Sequence, residues 1–170
     1  RFRFLSDGAY SDEDGDYQSV GGGFMCDIVK VFDYFGGYVY FFDNADDQVN
    51  LVPDVPGAAG DYWHVIDRLC PAYSDSHSWW CGDDADTALI PPMLQNGLYS
   101  PLVDLDGALS CTVLCAMHFA IPTVDNDYCA LYGSSGSGYY GIAAYWGDFG
   151  SCDGWGSTGL NIGFDITQFD

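Results

Sequence analysis

Every second residue from Leu109 to Ile121 is apolar: Leu109, Cys111, Val113, Cys115, Met117, Phe119 and Ile121. The residues between them are smaller or more polar, among them Ser110, Thr112, Ala116 and His118. A repeat of two is the signature of a pleated strand with one buried face, whereas a helix would scatter these positions around its circumference. The pattern predicts a central β-strand over 109–121, ended by Pro122, with Val113, Met117 and Phe119 in the core.

The same reading extends outward. Phe24 to Phe35 and Tyr38 to Asp43 are aromatic and β-branched runs separated by Gly36-Gly37, as a two-residue primed hairpin requires. That turn sets Phe35 against Tyr38, Phe32 against Phe41 and Lys30 against Asp43. Asn44 to Asp47 reads as a polar turn, and Gln48 to Val52 as a short strand before Pro53. Between Asp61 and Cys70, Tyr62, Val65, Ile66 and Leu69 recur at helical spacing, with Asp61 as N-cap and Pro71 beyond, which predicts one short helix. Residues 71–107 carry mostly turn chemistry. A second strand pair is expected over 127–132 and 139–146, around the Ser-Gly run 133–138. A last strand is expected where Leu160, Ile162, Phe164 and Ile166 alternate with polar or small residues.

About eight to ten short strands with one helix give an all-β chain, an antiparallel β-sandwich or jelly roll. Residues 24–170 form its single domain. Residues 1–23 precede it as an N-terminal arm, with Phe2, Phe4 and Leu5 alternating with arginine and Gly21-Gly22-Gly23 as joint. Such an arm pairs either with its own sheet or with that of a neighbour.

Charge changes the picture of partners. Twenty-five acidic residues face four basic ones, a formal −21. Such a surface repels nucleic acid and anionic lipid and attracts cations. Apolar runs are too short for a helical membrane span. The chain begins with Arg1 and carries no signal peptide, as a mature secreted chain does. Its seven cysteines, with no C-x-x-C pair, read as an extracellular disulfide set with one left over. Cys111 and Cys115 lie about 13 Å apart along one strand face and cannot bond each other.

Candidate chemistry is sparse. Asp12, Asp14 and Asp16 resemble the start of a calcium loop, but an EF-hand needs Gly and Glu where Tyr17 and Gly23 stand. Calcium in a less regular loop is a reading for these residues, for Asp83, Asp84 and Asp86, or for Asp104 and Asp106. His64, His77 and His118 have aspartates to pair with, yet no G-x-S-x-G or H-E-x-x-H motif accompanies them. Trp79, Trp80, Tyr139, Tyr140 and Trp146, with Tyr145 and Trp155, fall in or beside expected loops, where exposed rings would stack on sugars. Three functions follow: an extracellular structural subunit that self-assembles through its arm, a carbohydrate-binding module, or an aspartate-based hydrolase.

Overall fold

The computed structural model of the chain describes residues 1–5, 23–33, 35–54, 62–67, 73–74, 76–82, 95–108, 110–121, 128–134, 136, 138–145, 147–149 and 156–160. Among them there is no helix, and the architecture is two antiparallel sheets. The first sheet is built on two ten-residue strands, β2 (Gly23–Phe32) and β8 (Thr112–Ile121), paired along their length. Two shorter strands cover each outer edge of this pair. On β2 these are β3 (Val39–Asp43) and β6 (Ser78–Cys81), with β5 (Trp63–Ile66) beyond β6. On β8 they are β11 (Gly147–Phe149) and β12 (Gly156–Leu160). The second sheet runs in the order β10 (Tyr139–Tyr145), β9 (Tyr128–Ser134), β1 (Phe2–Leu5), β7 (Gln95–Tyr99), β4 (Val52–Pro53).

The predicted central strand is β8. Val113, Cys115, Met117, Phe119 and Ile121 line one core with Phe24, Cys26 and Val29 of β2, and with Leu98, Cys129 and Leu131 of the second sheet. Phe24 stacks on Phe119 at 5.8 Å and meets Trp63 edge-on at 6.2 Å. A bulge lets β2 follow β8. Cys26 opposes Met117, but Val29 rather than Ile28 opposes Cys115, so the extra residue keeps the core face in phase. Ile28 takes up the bend at φ 44°, an uncommon region for a β-branched side chain. Pro53 falls on an edge strand, where a missing N–H costs no ladder bond.

Three expectations are corrected. Residues 63–66 are a strand, with Trp63 opposite Cys81 and Ile66 opposite Ser78. Four residues rich in aromatic and β-branched side chains pack well in a sheet, and their spacing could not separate the two periods. The first hairpin is shifted by one residue. Lys30 opposes Phe42, and Asp43 opposes Val29. The turn is longer than two residues, Asp33 N–H donating to the Tyr38 carbonyl at 2.8 Å with Gly37 at φ 68°, and it sets Phe32 opposite Val39; a bulge between Val31 and Phe32 then leaves the rest of the ladder one residue off. Lys30 lies over the Phe32 ring at 4.9 Å instead of meeting Asp43. Segment 71–107 contributes β6 and β7, where turns were expected. The second strand pair is found as β9 and β10. The alternation over 161–167 lies outside the described residues.

The cysteines are corrected too. Cys26, Cys111, Cys115 and Cys129 are free thiols, all buried, and Cys81 is buried with them, so they act as small apolar side chains. Burial pushes the Cys26 and Cys129 thiols well up, the Cys115 thiol adding to the effect at Cys26, and burial beside Asp33 takes Cys111 to about 11. Cys70 and Cys152 lie outside the described residues.

Candidate functional site: the slot of the N-terminal strand

Residues 2–5 form an interior strand. On one side Phe2, Arg3, Phe4 and Leu5 are in register with Leu98, Gly97, Asn96 and Gln95 of β7. On the other they are in register with Leu131, Ala130, Cys129 and Tyr128 of β9. Without β1, both flanking strands would present unpaired N–H and C=O groups. Leu98, Asn96, Cys129 and Leu131, which flank positions 2 and 4, are all buried.

Arg1 extends the pairing by one residue. Its nitrogen donates to the Tyr132 carbonyl at 3.0 Å, and Tyr132 N–H donates back to the Arg1 carbonyl at 2.8 Å. The guanidinium carbon lies 4.6 Å from the Tyr99 ring centre and 4.8 Å from that of Tyr139. These two rings are 6.5 Å apart and inclined by 62°, and Tyr132 meets Tyr139 edge-on at 6.4 Å. Tyr99 is fixed from behind, its hydroxyl donating to Asp54 at 3.1 Å. Burial, with Asp54 adding and Arg1 opposing, pushes the Tyr99 phenol up to about 12, so it stays neutral. Gly97 leaves the room: a Cβ there would stand 3.0 Å from Arg1 Nε and 2.9 Å from Tyr99 Cε2.

The other expected sites fare differently. Trp79 and Trp80 are buried in β6, so neither offers a ring to a ligand. Their flanking turn residues suggested a loop, whereas Trp79 packs in the core and its indole N–H donates to Asp43 at 2.9 Å. Tyr139 and Tyr140 are half exposed on β10, and Tyr145 packs against Phe24 and Phe119. Trp146, Trp155, Asp12, Asp14, Asp16, Asp83, Asp84 and Asp86 lie outside the described residues. Asp104 turns back to accept the Asp106 N–H at 2.9 Å. Among the described residues no three His, Cys, Asp or Glu side chains converge as a metal ion would require.

One polar cluster has the composition of a hydrolase site without its geometry. Ser76 Oγ and Asp46 Oδ1 each lie 2.7 Å from His77, and both contact the same nitrogen, Nδ1. A nucleophile–base–acid relay needs the hydroxyl and the carboxylate on opposite nitrogens. Burial raises the Asp46 carboxyl, but hydrogen bonds from His77 and Ser76 outweigh it and hold the group below its usual range. Nearby Asp27 is buried and accepts from Ile28 N–H at 2.6 Å and from Ser74 N–H and hydroxyl at 2.7 and 2.8 Å. Burial dominates there and raises its pKa.

No known protein family, curated protein or solved structure shows significant similarity to this chain. No described helix is long and apolar enough to cross a membrane.

Proposed function

We propose that the protein is a structural subunit that self-assembles by strand exchange, each copy's β1 filling the slot between β7 and β9 of the next. Head-to-tail repetition then builds an extracellular filament, sheath or matrix. The observation that supports this reading is the position of β1. It is paired on both sides, and 17 residues (6–22) join it to β2. Seventeen residues reach up to about 60 Å, against a radius of gyration of about 15 Å for a domain of this size. The same main-chain bonds form whether the strand is the chain's own or its neighbour's.

Charge sets the conditions. Two bodies of −21 repel, and half of the four basic residues, Arg1 and Arg3, travel with the exchanged strand. Screening by salt should therefore promote assembly. The free buried thiols withdraw the support that cysteine count lent to an extracellular location, and self-assembly stands without it. The test is light scattering and electron microscopy of the chain with and without residues 1–5. Assemblies are expected from the full chain alone. Equal assembly by both, or two monomers, would refute the proposal.

A second reading, carbohydrate binding, is favoured by an open cleft of about 480 Å³ rather than by the tryptophans. Tyr38, Tyr40, Asp104 and Asp106 line it and would offer ring faces and carboxylate acceptors for the hydroxyls of a sugar. Titrating neutral oligosaccharides into the wild type and into Tyr40→Ala tests it: binding lost in the variant supports the cleft, and no binding by either discards it.

A further inference from the structure

We infer that the tyrosine cage on the second sheet is the specificity element of the exchanged strand. It recognises the arginine side chain that precedes β1 on an incoming copy. The inference rests on the strand-exchange reading and names what selects the strand.

Main-chain pairing alone is indifferent to sequence, so any extended segment of four residues could enter the slot between β7 and β9. Selection must come from side chains at fixed register positions. Arg1 is one such position, because its two backbone bonds to Tyr132 lock it one step beyond Phe2. Its guanidinium then meets two ring faces at nearly equal distances, 4.6 and 4.8 Å, over the bare backbone of Gly97. Nε is buried and, among the described residues, no hydrogen-bond acceptor reaches it, so ring contact is a principal local partner of that part of the group. A planar, weakly hydrated guanidinium suits such a wedge, whereas an ammonium is a point charge that holds its water.

The experiment uses the full chain throughout. Two ring contacts of ordinary strength imply that Arg1→Ala raises the rate of amide exchange at residues 2–5 about 5- to 30-fold, the strand being less firmly docked against its open state. Arg1→Lys recovers little of that loss. The double change Tyr99→Leu/Tyr139→Leu produces a rise of the same order, and adding Arg1→Ala to it changes nothing further. The concentration needed for assembly moves little in these variants, because the same ring contacts form within a closed copy and between copies. Wild type and Arg1→Ala exchanging the amides of residues 2–5 at one rate would overturn the cage and leave strand exchange standing. A wild-type chain that never assembles would overturn strand exchange, and the cage's role in it, together.

Discussion

Asp43 is buried at the end of β3, and each of its oxygens accepts two hydrogen bonds. Oδ1 takes Ala45 N–H at 3.0 Å and the Trp79 indole at 2.9 Å, while Oδ2 takes Asn50 N–H at 2.6 Å and Leu51 N–H at 2.7 Å. The carboxylate therefore ties β3, the turn after it and β6 into one unit. Replacing it with alanine leaves the donors of Ala45, Leu51 and Trp79 buried and unpaired. Each costs about 1–3 kcal/mol, partly offset because a carboxylate no longer has to be buried. The net loss should be about 3–5 kcal/mol, a large share of the stability of an ordinary domain. Asp43→Asn should lose somewhat less, since one oxygen remains while its amide faces two donors. Urea denaturation measures each variant, and a cycle with Trp79→Phe isolates the indole bond, expected at about 1.5–3 kcal/mol. A loss below about 1 kcal/mol for Asp43→Ala, or a coupling near zero, would refute the idea that this carboxylate organises the turn.

Further outcomes follow from single sites. Gly82→Ala would drive a Cβ into the Trp80 ring, which is fully buried and cannot yield, so thermal unfolding should fall by the equivalent of about 1–3 kcal/mol; an unchanged midpoint would contradict that packing. Thiol labelling of the native chain at pH 8 should spare Cys26, Cys81, Cys111, Cys115 and Cys129, all buried; mass spectrometry finding label on them before unfolding would speak against buried core thiols. Because the folded pKa of Asp46 is depressed, its pairing supports the fold above the unfolded value of about 3.9 and is lost as pH falls through the folded one. His77→Ala should return the Asp46 titration toward the ordinary range by NMR, and an unmoved titration would assign the depression to Ser76 alone.

How much of this was legible in the sequence depends on how many residues carried each signal. β8 declared itself because seven consecutive alternate positions are apolar and no other period fits them. β2 concealed its bulge, since Phe24, Cys26 and Ile28 alternate as cleanly as Val29 and Val31 do, and only the partner strand reveals the slip. The hairpin register failed for a related reason: Gly36-Gly37 fits a two-residue turn, but Asp33, bonded to Phe35 N–H and to the Ser110 hydroxyl, starts the loop earlier. β5 was misread because a four-residue strand shows too few positions to separate its period from a helical one. The slot and its cage were beyond reach, since they join β1, β7, β9 and β10, which are remote in the chain and adjacent only once the sheet order is known. Alternating Arg1, Phe2, Arg3 and Phe4 marked a strand, but nothing local names its neighbours.

Strand exchange is tested most directly by a bond that only two different copies can make. Arg3 stands opposite Ala130 across β1 and β9. One copy carries Arg3→Cys and the other Ala130→Cys, and the two are refolded together and oxidised gently. The account predicts a disulfide-linked heterodimer on a non-reducing gel, mapped by mass spectrometry to positions 3 and 130. Its absence from the mixture, with both copies remaining monomeric, would contradict the exchange of β1 between chains.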